Sequence, residues 1–297
     1  MKLMKCVLRT GLLFAFVFVI NGMMMARQGS TWAEAKAAGS GKIVAYYLEE
    51  DAFAYSDASG RVTGVNVDIF RHFVNWMKNS KGVTLDVEYI GERDFKKFYD
   101  TVKDAPDGTL GLGTVTILDR RKQEVQFGPP YINNIAVLIS HTSAPNLVSL
   151  DEIGTIYGGK KGVAAVGTTL EGYLKNMKQR YYPALNIDPV SSQMDVVEAV
   201  AADPNYFAYV DLSVYWPAYD KRKMAIKRQA VGDLSAETFG FIMPLGSEWH
   251  EPLEEFFALG SGYRSNPAYK QILMKHLGGE VTKMLDLARQ RAQDSRR

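Results

Sequence analysis

Gly113-Thr-Val-Thr-Ile-Leu-Asp-Arg-Arg-Lys-Gln-Glu-Val-Gln-Phe-Gly-Pro-Pro-Tyr131 is the stretch that decides the reading of this chain. It runs from an apolar, Gly-rich strand pattern through a Thr-x-Thr pair to two arginines, then closes on an aromatic-proline turn. Thr114 and Thr116 are two residues apart, so a strand turns both hydroxyls to one side. A guanidinium beside hydroxyl and amide donors is a receptor for a carboxylate, because its planar fork matches two carboxylate oxygens. Taken alone, the same residues also describe a strand that ends in a solvated surface loop.

Around this stretch, strand and helix patterns alternate. Lys42–Leu48 and Thr84–Ile90 read as strands. Between them Val67, Phe70, Val74 and Met77 recur at helical spacing. Phe95–Val102 reads as a helix, and Leu110–Ile117 and Ile135–Ser140 as strands. Lys161–Val166 then predicts a strand, Thr169–Met177 and Val196–Ala202 helices, Phe207–Val210 and Phe239–Pro244 strands, and the chain from Trp249 onward helix. This order predicts an α/β fold with helices covering the sheet.

Three further segments carry chemistry. Gly167-Thr-Thr-Leu-Glu171 follows a strand, and Thr168 with Glu171 fits a capping box at a helix start. That pattern is complete as a cap alone, but a helix N-terminus also offers free N–H groups to an anion. Asp211 follows the apolar Tyr206-Phe-Ala-Tyr-Val210, where its position fits an N-cap of the next segment. The loop Tyr46-Tyr-Leu-Glu-Glu-Asp-Ala-Phe53 holds three acids and two tyrosines. It suits either solvent or a cationic group.

In their order these segments resemble the family 3 extracellular solute-binding proteins, which capture amino acids for ABC importers. The resemblance runs from about Lys42 to about Gly279. It rests on Thr114-Val-Thr116, Arg121, Val125-Gln-Phe127 and Pro130-Tyr131, then on the Gly167-Thr-Thr169 turn and on Asp211. Two further stretches add to it, Gly60-Arg-Val-Thr-Gly-Val-Asn-Val-Asp68 and Glu237-Thr-Phe-Gly-Phe-Ile-Met-Pro-Leu-Gly-Ser-Glu-Trp249. The chain departs from the family pattern at Ala52, where Pro is usual, and at Val65, where an aromatic is usual.

The resemblance implies a two-lobe type II periplasmic-binding fold with two hinge strands. Lobe one would span 38–131 plus 239–285 and lobe two 132–238, with a C-terminal tail at 286–297. It implies that Arg121, in register with the family's ligand arginine, clamps an α-carboxylate while Arg120 is dispensable. Thr116 and Thr169 would donate to that carboxylate, with Thr114 and Thr168 beside them. Asp211 would pair with the ligand ammonium, while Tyr47 and Glu50 would line the side-chain pocket. Asp68 reads as structural. The expected partners are a small amino-acid-like ligand and an inner-membrane permease, for a monomeric protein without a cofactor.

Length and charge agree with an exported binding protein. The chain has 297 residues and a formal charge of +2, too little to suggest a nucleic-acid partner. Lys2, Lys5 and Arg9 precede an apolar run over Gly11–Ile20, as in a signal peptide of residues 1–35. Ala33-Glu-Ala35 and Ala35-Lys-Ala37 offer cleavage patterns that place the cut near Ala35–Ala38. A cut after Ala35 removes four positive charges and one negative, leaving a net charge of −1, and takes the single cysteine, Cys6, with it. The four histidines lie far apart and match no metal-ligand spacing, and there is no G-x-S-x-G or phosphate loop. Two alternatives remain at this level. One is a sensing module for a membrane receptor. The other is a cyclohexadienyl-dehydratase-like enzyme on the same fold, with Glu49 or Glu50 as a general acid.

Overall fold

The computed structural model describes residues 28–294. The basic start and apolar run of the expected signal peptide lie outside the described residues, as does the end of the expected tail. Eleven strands are formed among the described residues: β1 Ser40–Leu48, β2 Tyr55–Ser56, β3 Val62–Thr63, β4 Thr84–Glu92, β5 Thr109–Thr116, β6 Gln126–His141, β7 Lys161–Ala165, β8 Ile187–Val190, β9 Tyr206–Asp211, β10 Ile226–Arg228 and β11 Leu234–Met243. The α-helices are α1 Trp32–Ala38, α2 Val65–Trp76, α3 Phe95–Lys103, α4 Ile153–Ile156, α5 Thr169–Arg180, α6 Gln193–Ala202, α7 Leu212–Asp220, α8 His250–Ala258 and α9 Pro267–Asp294, the last broken at Gly278 with φ of +80°.

Strands pair in the order β4-β1-β5-β11-β6-β9-β7-β8, with β10 on β6 and a separate β2-β3 hairpin. The flanks β4-β1-β5 and β9-β7-β8 are parallel, as their helical crossovers require. The long antiparallel pair β6 and β11 lies between them. Each flank therefore builds its own α/β half, and the two central strands are shared between the halves. The lobe limits expected at 131/132 and 238/239 fall inside these two strands.

Packing explains several sequence features. A Cβ on Gly113 would sit 2.8 Å from the ring of Phe98, so the Gly-rich character of β5 lets α3 lie close upon it. Phe98, Val102, Val115 and Ile242 then close a core on that face. A larger core gathers Phe70, Phe73, Phe241 and Phe256, and another gathers Tyr157, Leu174 and Phe207. Each such fully buried side chain contributes roughly 1.5–3 kcal/mol. Asp68 accepts from Arg71, Lys275 and His276. It ties α2 to α9, a structural role as the sequence suggests.

Two of the expected boundaries fall on regular structure. The cleavage patterns at Ala33–Ala37 lie inside α1, which is capped by Thr31 and Glu34. Trp32 packs on Trp249 with ring centroids 5.6 Å apart, Ala35 is fully buried, and Ser30 bonds to Lys42 across 2.7 Å. A cut near Ala35–Ala38 would remove this packing. Helix α9 also continues to Asp294, so most of the segment expected as a tail is helical.

Candidate functional site

Strand β5 delivers Thr114 and Thr116 to the junction of the two halves. Thr114 Oγ1 donates to Glu50 Oε2 at 2.6 Å, and Thr116 Oγ1 lies 3.3 Å from Thr169 Oγ1 on the opposite half. Arg121 follows at the start of a short 3-10 turn, Arg121–Gln123, and is 4% exposed, whereas Arg120 is exposed. Its guanidinium lies over the rings of Phe95 and Tyr99, 5.4 and 5.5 Å from their centroids. Nη1 donates to Thr116 O at 3.1 Å and Nη2 to Gly167 O at 2.9 Å. Burial holds its pKa below the usual arginine range, yet a guanidinium remains charged and has further N–H donors for an anion.

Helix α5 begins at the same place. Thr168 caps it, accepting from Glu171 N at 3.2 Å and donating to Ala165 O at 2.7 Å. Glu171 accepts from Gly167 N rather than from the N-cap N–H, so the box is shifted by one residue from the expected form. With the Thr168 hydroxyl engaged in the cap, it is the Thr169 hydroxyl that faces Thr116. Thr169 and Leu170, the first two residues of α5, line the narrow chamber, where the free N–H groups of a helix start can meet an anion.

Asp211 stands at the N-cap position of α7 but makes no side-chain cap. Its carboxylate, in a residue 3% exposed, instead accepts from Asn134 Nδ2 at 2.6 Å and from Gln193 Nε2 at 2.7 Å. Register dictates this: Asp211 pairs with Ala136, so Asn134 on β6 lies one side-chain repeat away. The same Gln193 nitrogen donates to Glu50 Oε1 at 3.0 Å, and Asn134 also donates to Glu237 at 3.0 Å. Glu237 is completed by the Tyr173 hydroxyl. Three carboxylates are thus joined through two amides, with neutral donors at every oxygen. Burial pushes the Glu50 carboxyl up to about 7, against the pull of its Thr114 and Gln193 hydrogen bonds. Burial, reinforced by Glu50 and Glu237, raises Asp211 well above the usual carboxylate range.

A narrow chamber is lined by Thr114, Thr116, Arg121, Thr168, Thr169 and Asp211, together with Phe95, Leu170 and Gln193. A wider cavity of about 440 Å³ shares Phe95, Thr168 and Gln193 with it. Its wall holds four acids, Glu49, Glu50, Asp51 and Glu198, against Arg93 and Arg222. Arg222 is already paired with Asp51 across the junction. Of the eight residues named from sequence, seven line these chambers. The eighth, Tyr47, packs into the main core beside Gly91 and lines neither chamber.

Sequence reasoning missed Gln193, Asn134, Glu237 and the Phe95–Tyr99 ring pair as site residues. Gln193 had a readable signal. Ser192 and Asp195 form a complete capping box, which starts α6 at Gln193, three residues earlier than the expected Val196. Asn134 also had one, as part of a polar pair inside a buried apolar strand. Among the described residues no cluster of His, Cys, Asp and Glu could hold a metal ion, and no helix is long and apolar enough to cross a membrane.

No protein-family model and no curated protein sequence matches this chain. Solved structures do. An ancestral arginine-binding protein bound to arginine superposes with a TM-score of 0.64 at 18% identity, covering 80% of this chain and 98% of that one. The arginine-, lysine-, histidine-binding protein ArtJ of Geobacillus stearothermophilus gives 0.61 at 19% identity, with 80% and 96% covered. An ancestral amino-acid-binding protein, a precursor of cyclohexadienyl dehydratase, gives 0.61 at 17% identity, with 82% and 98% covered. The chain therefore has the two-lobe periplasmic-binding fold that these amino-acid-binding proteins share.

Proposed function

We propose that this chain is a family 3 solute-binding protein that holds an amino acid between its two lobes and delivers it to an ABC permease. The observation that carries this reading is the narrow chamber itself, where a buried guanidinium and a buried carboxylate, Arg121 and Asp211, face one another from opposite halves. A zwitterion satisfies both. Its α-carboxylate takes the remaining Arg121 donors, the Thr116 and Thr169 hydroxyls and the start of α5. Its ammonium takes Asp211, with Glu50 close by. The acidic wall of the wider cavity favours a cationic side chain, and the structural neighbours include proteins that bind arginine. A ligand making contacts with both halves stabilises the closed arrangement by its differential affinity.

The lobes divide within β6 and β11, and the protein works as an exported monomer. Titration calorimetry against the twenty amino acids tests the reading. One or more should bind reversibly and unaltered, and Arg121→Ala should weaken that binding at least tenfold, because a charged hydrogen-bonding partner is lost. Binding that is equally tight in Arg121→Ala would refute it.

One observation favours a second reading. A Glu50 carboxyl that titrates at about 7, beside a carboxylate grip, suits a general acid for a dehydratase-like elimination. Release of carbon dioxide and water from prephenate or arogenate by the purified protein, abolished in Glu50→Gln, would establish it. Unchanged substrate would exclude it.

A further inference from the structure

On the far side of the shared strands lies a second cavity, of about 420 Å³, whose wall has a different chemistry. Two guanidiniums line it. Arg264 comes from the short turn Tyr263–Ser265 that links α8 to α9, and Arg289 from the last turns of α9. Asn133 of β6 and Thr238 of β11 line it as well, and these two are register partners on the central strand pair. Ser261 and Ser265 add two hydroxyls. Among the described residues no acid lines the cavity. Among the described residues, the acid within 4 Å of either guanidinium is Asp286, 3.7 Å from Arg289.

The arginines are under-satisfied. Arg264 donates to Asn133 Oδ1, a neutral acceptor. The Nε atoms of both Arg264 and Arg289 are shut off from solvent and have no hydrogen-bond partner among the described residues. Those edges face protein rather than the cavity, so what each guanidinium has left to offer an anion is its terminal nitrogens. Two positive charges against one carboxylate leave an excess of one, facing a cavity of hydroxyl and amide donors.

We propose that this cavity is a binding site for a small oxyanion of the phosphate type, held by Arg264 and Arg289 and completed by hydroxyls at the strand pair. Guanidiniums bind such anions through paired N–H···O bonds, and the surrounding hydroxyls supply donors for the remaining oxygens. The site is separate from the chambers around Arg121. Because it rests on β6 and β11, which both halves share, an anion there touches the element that links them.

Inorganic phosphate is the probe, titrated into the full-length mature protein without amino acid and read by calorimetry and by thermal shift. One phosphate per chain is expected, with a rise in melting temperature that an equal ionic strength of chloride does not reproduce. Arg289→Gln and Arg264→Gln should each weaken binding at least tenfold, and Arg289→Lys, which keeps the charge but loses the fork, should weaken it less than Arg289→Gln. Arg289 lies near the end of α9, so its variants test the site even if Arg264→Gln fails to fold through loss of its Asn133 bond. Absence of phosphate binding, an equal response to chloride, or full binding by Arg289→Gln would overturn the proposal. Since no amino acid is present, the outcome is independent of the function proposed for the other chambers.

Discussion

Ligand capture should be coupled to pH through Glu50. Burial lifts its carboxyl to about 7 from the ordinary 4.5, against the pull of the Thr114 and Gln193 hydrogen bonds and with a smaller push from Asp51. Of the groups around it, its own loop contributes Glu49 and Asp51, α6 contributes Gln193 and Glu198, β9 contributes Asp211 and β11 contributes Glu237. Thr114 faces it from β5 and Tyr131, itself kept neutral by burial and by Glu50, from β6. Of the nearby cations, Arg222 is committed to Asp51, Arg121 bonds to carbonyl oxygens, and Arg93 stands at the cavity wall, 4.0 Å from Asp195. A ligand ammonium placed between Glu50 and Asp211 favours their ionised forms, so below pH 7 its binding expels a proton. For one proton released, affinity rises tenfold per pH unit, or about 1.4 kcal/mol. Between pH 5 and 7 the gain is then about a hundredfold, levelling off above 7 as far as Glu50 is concerned.

Stability of the protein without ligand moves the opposite way. The folded pKa is raised, so the contribution of Glu50 is fully present below about 4.5 and is lost as pH climbs to 7. That loss amounts to about 3 kcal/mol for a shift from 4.5 to about 7. Calorimetry at pH 5, 6 and 7, in buffers of differing ionisation enthalpy, counts the protons directly. Glu50→Gln should flatten both the affinity slope and the stability slope. A dissociation constant that stays within twofold from pH 5 to 7, with heats independent of buffer, would refute the reasoning.

Two further outcomes follow from the site. Asp211→Asn should weaken amino acids by at least tenfold while weakening simple carboxylates less, since only the former bring an ammonium; competition calorimetry with an amino acid and its deaminated analogue measures the difference. Thr168→Ala removes the cap of α5 and should destabilise the protein by about 1 kcal/mol, seen as a lower denaturation midpoint at unchanged slope.

Much of the fold was legible because its elements are locally encoded. The helical stripe over Val67–Met77, the strand runs at 42–48 and 110–117 and the Thr168 cap all need only near neighbours in sequence. Seven of the eight proposed site residues line the chambers for a similar reason, since six sit near the end of a strand or the start of a helical turn and Glu50 lies in the loop just after β1. What the sequence hid is set by tertiary register. Tyr47 alternates with Tyr46 along β1, and which of the two turns toward the junction depends on the pairing with β4 and β5. Asn134 and Glu237 meet because β6 and β11 are paired through several bulges, which no local pattern announces. The small residues at 33–37 suit a signal peptidase, and they suit helix packing against Trp249 as well.

The arrangement of charge explains how one chamber can receive both ends of a dipolar ligand. Had Arg121 been free to reach Asp211, the two would have neutralised each other and left nothing for a ligand to complete. Instead the guanidinium lies against the stacked rings of Phe95 and Tyr99, and its hydrogen bonds run to the Thr116 and Gly167 carbonyl oxygens. The Asn134 and Gln193 amides hold Asp211 and Glu50 with neutral donors. Positive and negative groups thus line one chamber while each is satisfied by uncharged partners. A buried charge held this way is worth more to an opposite charge entering from solvent than it would be at the surface, because the surrounding medium screens it less. Gln193 is the pivot of this arrangement. A single nitrogen spans carboxylates from the two halves, and its Oε1 accepts from Asp211 N, so the separation of those carboxylates is set by the protein before any cation arrives. Preorganisation of that kind lowers the ordering cost of binding, and it makes the spacing of Glu50 and Asp211, rather than their charge alone, the property that selects the ligand.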